Sequence, residues 1–390
     1  MQVFDVAILG AGAAGLTCAH VAASRGLSAA LLDKAPAAGG KIPVSGGGKA
    51  NFTNLHMGPA YFIGEQTEFC EYALDRFGPQ DMVQRVQSYG IAWEERTHGQ
   101  LFCLSSARGL AERLFADCER AGCVFFPNRT IQRIVPEGKH FTVETDGGPL
   151  YARRCVLALG SPAWPQAGGS DAGWRLAKQL GHRVLPARPV LTPFIMPENW
   201  PLHGLTGISL PVRVSIAGQH FEDDLLFTHR GLSGPASLKA SAVWRQGETL
   251  RIDFLPHANV YTLLDARDNG KLLTRTLLSR HMPQRLADAL LPEAAARRKV
   301  AELPRTLRDS LHSAVHECPV RPSGMGGLKK AEVCAGGVDT RELNPWTMES
   351  LRVPGLHIIG EMVDITGQLG GYNLHWAWAS GVTAGEGITL

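Results

Sequence analysis

The residues best placed to do chemistry are glycines. Gly10-Ala11-Gly12-Ala13-Ala14-Gly15 is a GxGxxG run between an apolar segment, Val3–Leu9, and a small-residue segment that follows it. Gly10 permits a tight turn, Gly12 lets backbone approach a pyrophosphate, and Gly15 lets a helix pack close to a strand. A helix start there supplies unpaired N–H groups and partial positive charge for phosphates. Asp33, eighteen positions after Gly15, can accept a hydrogen bond from a ribose 2′-hydroxyl. That choice favours FAD or NAD over a 2′-phosphorylated nucleotide.

Three more glycine clusters follow. Gly39-Gly40-Lys41 and Ser45-Gly46-Gly47-Gly48-Lys49-Ala50-Asn51-Phe52-Thr53-Asn54 are too glycine-dense for a strand or helix. Such a loop can wrap a ligand with backbone N–H groups, while Lys41 or Lys49 neutralises phosphate and Asn51, Thr53 and Asn54 add hydrogen bonds. Leu157-Ala158-Leu159-Gly160-Ser161 precedes a glycine-rich connection, Gly168–Gly173. Ile358-Ile359-Gly360-Glu361 precedes Gly367-Gln368-Leu369-Gly370-Gly371-Tyr372-Asn373. Glu361 falls past the carboxyl end of a strand, where open α/β sheets bind ligands. The paired glycines admit a flat ring. A helix over Leu374–Gly385 would point its N-terminus at that ring and stabilise negative charge near a flavin N1 and C2 oxygen.

These motifs need elements to position them. Val3–Leu9 reads as a buried parallel strand, Ala13–Arg25 as a helix capped by Gly26, and Ser28–Leu32 as a second strand, one βαβ unit. Helices are expected over Glu65–Phe77, Gln80–Tyr89, Ser106–Ala121 and Trp174–Leu180. Strands are expected over Val124–Phe126, Ile131–Val135 and Cys155–Leu159, with a hairpin of Phe141–Thr145 and Tyr151–Arg153 around Asp146-Gly147-Gly148. After about Leu185 prolines become frequent and segments such as Val212–Ile216 alternate, which predicts antiparallel β structure. Tyr261–His316 is rich in Leu, Ala and Arg, with helical periodicity broken by Pro283, Pro292 and Pro304. The strand-then-glycine pattern returns at Leu356. The expected organisation is a discontinuous nucleotide-binding domain (residues 1–187 and 338–390), an inserted β-rich domain (188–258 and 318–337) and a helical subdomain (259–317).

Composition narrows the function classes. The chain has 390 residues, 44% of them hydrophobic and 19% charged, enough for a sizeable core and two or three domains. A net charge of +3 gives no argument for nucleic acid or a membrane surface. The eight cysteines include no CxxC pair, so neither a zinc ribbon nor a redox dithiol is signalled; no metal is expected, and the thiols fit a reducing, cytoplasmic compartment. No apolar run reaches the roughly 18 residues of a membrane span, and the N-terminus reads as a strand rather than a targeting segment.

The order strand–GxGxxG–helix–Asp, a later strand ending in Leu-Gly and a final Gly-Glu strand resembles the FAD domain of the glutathione-reductase type. More narrowly, SGGGKANFTN, FTHRGLSGP, CAGGVDT and IIGEMVDITGQLGGYNLHWAWASG resemble the BaiN-like family of bacterial NAD(P)/FAD-dependent oxidoreductases, in the same order over nearly the whole chain. Ala50 stands where that family usually has cysteine, so a thiol mechanism at this place is not expected. The resemblance implies an α/β, Rossmann-like FAD-binding domain split by an inserted β-barrel-like domain with a helical part. It implies that Gly10, Gly12, Ala13, Ala14 and Gly15 hold the pyrophosphate, with Asp33 and Lys34 on the adenosine ribose side. Gly40, Lys41, Gly47, Gly48, Asn51 and Thr53 would line the flavin and ribityl path, Glu361 with Gly360 the ribityl or pyrophosphate, and Gly371, Tyr372 and Asn373 the isoalloxazine. Ile131, Ala158 and Gly160 complete the expected FAD set.

Flavin chemistry puts the hard step in the cofactor and leaves position and protons to the protein. His229, in Phe227-Thr228-His229-Arg230-Gly231-Leu232-Ser233-Gly234-Pro235, is the first proton-donor candidate, with Arg230 to hold an anionic substrate. A loop merely held by His229 hydrogen bonds is the competing reading. His375 and Tyr372 are expected to serve the helix start and ring packing, and Trp376 and Trp378 the core. No second GxGxxG unit exists for a resident nicotinamide, so NADH or NADPH would bind transiently. The favoured expectation is hydride transfer to a small organic acceptor, such as an activated C=C bond. Flavin-dependent RNA modification ranks low because no dense basic run stands out and no nucleic acid partner is expected. A non-catalytic FAD-binding sensor is a third reading.

Overall fold

The computed structural model describes residues 2–390. The chain forms two units. One takes the residues up to Pro189 and returns for Glu332–Leu390; the other is Val190–Ala331.

In the first unit, Val3–Leu9 pairs in parallel with Ala29–Leu32 on one side and Leu150–Leu157 on the other. Val124–Phe126 extends the sheet beyond Ala29–Leu32, and Leu356–Ile358 pairs in parallel with the end of Leu150–Leu157. Val6–Leu9 and Ala29–Leu32 are buried throughout, as strands covered on both faces require. His140–Thr145 and Ile131–Glu137 add an antiparallel margin. Leu150–Leu157 is one strand, so the two segments expected at Tyr151–Arg153 and Cys155–Leu159 merge. The arginines between them suggested a break, but Arg153 reaches the surface and pairs with Asp5.

Two helices carry the site. Ala13–Ser24 follows the GxGxxG turn, and the terminal helix Tyr372–Gly387 lies against it. The packing is close because Gly381 and Gly385 have no side chain: a Cβ on Gly381 would sit 2.7 Å from the Ala14 carbonyl oxygen, and one on Gly385 2.7 Å from Val21 Cβ. Arg25 donates to the carbonyls of Gly385 and Ile388 at 2.6 and 2.9 Å, a cation on a helix C-terminus. The glycine-rich stretch expected to be all loop contains a short 3₁₀ segment, Ile42–Gly48, and a strand, Asn51–Asn54, paired with Gln100–Cys103. Glycine density ends at Gly48, and Phe52 then gives that strand a buried anchor.

The second unit holds a seven-stranded sheet, ordered Cys318–Val320, Leu250–Asp253, Ser209–Ile216, Gln219–Thr228, Gly231–Ser233, Phe194–Ile195, Gly324–Met325, with antiparallel neighbours throughout. The path ends at Cys318–Val320 and Gly324–Met325 without those strands pairing, so among the described residues the sheet is open where a barrel-like closure was expected. Short helices between Val260 and His316 put Leu277, Leu286 and Leu311 into the same core as Val212 and Phe227. Helical and β parts therefore share one core. Val333–Val338, expected in the insertion, pairs with Val184–Val190.

Candidate functional site

The phosphate end is built on the first turn. Gly10 has φ +108, and a Cβ there would lie 2.4 Å from the Ala158 carbonyl oxygen; a Cβ on Gly15 would lie 1.8 Å from the Gly10 carbonyl oxygen. Both glycines are demanded by contact. Gly12 differs: nothing lies within 4 Å of a Cβ built on it. Leu16 makes the first intrahelical bond, to Gly12, so the amides of Gly12 through Gly15 are left for a ligand. Asp33 accepts from the Ala11 amide at 2.7 Å and the Ala35 amide at 2.8 Å, one on each oxygen, which fixes its carboxylate at the strand end. Each oxygen retains a lone pair for a ribose hydroxyl. The Arg129 amide donates to the Asp33 carbonyl, bringing the Ile131 strand beside it, and exposed Lys34 donates to the Gly168 carbonyl at 2.9 Å.

The second glycine run is brought onto the first. The Gly39 amide donates to the Ala11 carbonyl at 2.8 Å, and a Cβ on Gly40 would lie 3.2 Å from Gly12 Cα. Gly46, Gly47 and Gly48 all have positive φ, and Gly47 and Gly48 face open space. Lys41 Nζ meets Glu361 Oε2 at 2.7 Å, and Ser161 Oγ donates to the same oxygen at 2.8 Å. Gly160, at φ +74, turns the chain between Ala158 and that serine. Gly360, at φ +65, sits under Glu361 with its carbonyl bonded to Trp376 Nε1 at 3.0 Å.

At the other end, Gly371 caps the terminal helix with φ +95, where a Cβ would lie 2.5 Å from the Thr53 carbonyl oxygen. His375 makes the first intrahelical bond, so the amides of Tyr372, Asn373 and Leu374 have no acceptor among the described residues. Tyr372 stacks on Tyr61, ring centroids 4.9 Å apart, and burial pushes its phenol up. Asn373 spends its side chain on the Gly367 backbone, accepting at 2.8 Å and donating at 2.8 Å. Thr53, expected to line the flavin, is fully buried and bonds His375 Nδ1 at 2.8 Å; it holds the helix start. His375 Nε2 must donate to the Phe77 carbonyl at 2.9 Å, so Nδ1 is the acceptor and the ring is neutral; burial lowers its pKa to about 4. The Asn51 and Gln100 amides meet at 2.9 Å. Trp376 and Trp378 are fully buried and bond backbone carbonyls, as core residues do.

The glycine cradle fits FAD. Gly381 packs at Ala14, beside the phosphate end, and Tyr372 lies nine residues earlier on the same helix. That is about 14 Å of helix, a span for a ribityl chain and part of a ring. Both helix N-termini bring positive partial charge to this path. Ser161, Tyr61 and Gln100 are site neighbours to which the sequence assigned no role. Ser161 could have been found as the residue after Gly160; the other two carry no local signal. Ala50 is buried with φ +44, and the neighbouring Cys103, whose amide bonds the Ala50 carbonyl, does not replace a reactive thiol, since burial pushes it up to about 11.

His229 and Arg230 lie in the second unit, exposed, in the turn between Gln219–Thr228 and Gly231–Ser233. The turn is held by Thr228 Oγ1, which accepts from the Gly231 amide at 3.2 Å and donates to the Gly231 carbonyl at 3.0 Å. Among the described residues, no hydrogen bond of the His229 ring holds it.

Residues 4–387 match the family described as HI0933-like protein, Rossmann domain. The chain belongs to that family. It is a family of Rossmann-type flavoprotein oxidoreductases, and the expected BaiN-like affiliation holds within it. The ribosomal RNA dihydrouridine synthase of Escherichia coli (strain K12) is 38% identical, over 97% of this chain and 96% of that protein. The 3-dehydro-bile acid delta(4,6)-reductase of Clostridium scindens is 29% identical, over 98% of each. The solved Mycobacterium smegmatis Sdh1 complex in its apo form shares the fold, with a TM-score of 0.50 at 16% identity over 99% of this chain and 68% of that one. Among the described residues no helix is long and apolar enough to cross a membrane.

Proposed function

We propose that this HI0933-like protein reduces the C5=C6 bond of a uridine in ribosomal RNA. The observation that carries the reading is the 38% identity with a ribosomal RNA dihydrouridine synthase, spread over 97% of the chain. The name of the second relative fits the same chemistry. A delta(4,6)-reductase and a dihydrouridine synthase both saturate a C=C bond conjugated to a carbonyl. The hydride goes to the β carbon, C6 of uridine, and the proton to the α carbon, C5. The RNA reading thereby overtakes the small organic acceptor.

When bound, FAD would take two electrons from transient NADH or NADPH and supply the hydride. The chain's residues do the rest. Gly12 through Gly15 offer amides to the pyrophosphate, and Asp33 accepts from the ribose. Lys41, paired with Glu361, to which Ser161 also donates, places a cation on the path between the two ends. The free amides of Tyr372, Asn373 and Leu374 stabilise negative charge at the ring end. His229 is proposed to give the proton to C5 and Arg230 to hold the anionic substrate. Among the described residues neither side chain holds the turn, which Thr228 organises, while the Arg230 backbone carbonyl accepts from the Met196 amide at 2.9 Å.

The test is to incubate the protein, FAD and NADH or NADPH with unmodified ribosomal RNA and map dihydrouridine by mass. Its formation is expected, with His229→Asn lowering kcat while flavin reduction by the nucleotide is unchanged. No dihydrouridine despite a reducible flavin would sink the RNA reading. Turnover of a conjugated steroid dienone instead would support the second relative's chemistry.

A further inference from the structure

We propose that Lys271, Arg297, Arg298 and Lys299 form a contact surface for the phosphate backbone of that RNA. The inference rests on the reading above and adds where the RNA is gripped.

The charge distribution is the first observation. Residues 271–299 contain seven Lys or Arg and two Asp or Glu, an excess of five. The whole chain has a net charge of +3, so the remainder is net acidic. The average conceals a segregated basic segment, within which Arg297-Arg298-Lys299 is a basic run. Pairing is the second observation. Within this segment, Arg275 with Asp288 is the ion pair found among the described residues. Among the described residues the side chains of Lys271, Arg297, Arg298 and Lys299 have no carboxylate partner, although the Lys299 backbone amide donates to Glu302 at 3.3 Å.

Geometry gathers the four cations. Leu273 and Lys299 form an antiparallel bridge. The Thr274 amide and hydroxyl both donate to the Arg298 carbonyl, at 3.0 and 2.9 Å, and the Val300 amide donates to the Leu272 carbonyl at 3.0 Å. These bonds join two chain stretches more than twenty residues apart. Thr274 and Val300 are buried and anchor the bridge, while all four cations are exposed. Four exposed like charges on one backbone bridge offer a local positive field that a polyanion can cover. A phosphate backbone supplies such charge at regular spacing and releases its own counterions on contact.

The experiment measures binding of full-length, FAD-loaded protein to deproteinised ribosomal RNA at several salt concentrations. The test variant is Lys271→Gln/Arg297→Gln/Arg298→Gln/Lys299→Gln. The control variant removes four exposed cations of the first unit: Arg108→Gln/Arg113→Gln/Arg133→Gln/Lys139→Gln. The test variant is expected to lose roughly tenfold or more in affinity near 0.1 M salt and to flatten the log–log salt slope by about three. The control should change both far less, and both variants should keep flavin reduction by NADH or NADPH. Equal losses in the two variants would overturn the surface, because net charge alone would then govern binding. Unchanged affinity and slope in the test variant, with dihydrouridine still formed, would overturn the surface and leave the enzymatic reading intact. Absence of both binding and dihydrouridine in the wild type would overturn both.

Discussion

At the scale of residues, Gly12 and Gly15 separate two reasons for a glycine. A Cβ on Gly15 would overlap the Gly10 carbonyl oxygen at 1.8 Å, whereas one on Gly12 meets nothing within 4 Å. Gly15→Ala should therefore lower the melting temperature even without FAD. Gly12→Ala should leave apo-protein stability nearly unchanged and weaken FAD binding, because its methyl occupies the approach to the amides. Thermal melts of apo-protein and FAD titrations check the pair; equal melting losses in both would contradict the assignment. His375 gives a pH prediction. Its folded pKa of about 4 lies below the ordinary 6.5, so its neutral form is favoured by folding. That contribution is complete above 6.5 and is lost as pH falls from 6.5 to about 4, by up to about 3 kcal/mol. His375→Gln should show a shallower decline in denaturant stability over this window than the parent protein.

At the scale of elements, the site depends on two helices that approach through small residues. Helix propensity alone would make Gly381→Ala stabilising by about 1 kcal/mol. The added Cβ, however, would sit 2.7 Å from the Ala14 carbonyl oxygen, a rigid backbone atom. The net effect is expected to be a loss of about 1–3 kcal/mol together with weaker FAD retention, since Ala14 belongs to the phosphate turn. Chemical denaturation and the flavin content of purified protein measure the two effects. A stabilised variant would mean the helices can separate without cost.

At the scale of the whole molecule, the insertion is continuous in sequence and has a core of its own, running from Phe194 through Val320. Excised residues 190–331 should fold with a cooperative thermal transition and dispersed amide resonances. The first unit is discontinuous, and its sheet needs Leu356–Ile358 beside Leu150–Leu157. Truncation before Leu356 should leave a product that neither melts cooperatively nor binds FAD. A non-cooperative insertion would show that its core is incomplete alone.

What the sequence by itself determined is local. GxGxxG with Asp33, the buried strands and the returning Gly-Glu segment specify the nucleotide-binding fold, because turn geometry, helix start and strand burial are set by residues within one βαβ unit. The family followed from motif order. Tertiary structure decided the partners. Lys41 and Ser161 converge on Glu361 from 320 and 200 residues away, Thr53 is taken by His375, and Tyr61 stacks on Tyr372. It also gathered Lys271 with Arg297, Arg298 and Lys299, where net charge indicated nothing. Contacts between residues so distant in the chain leave no periodicity to read; they exist only once the sheets and helices have closed.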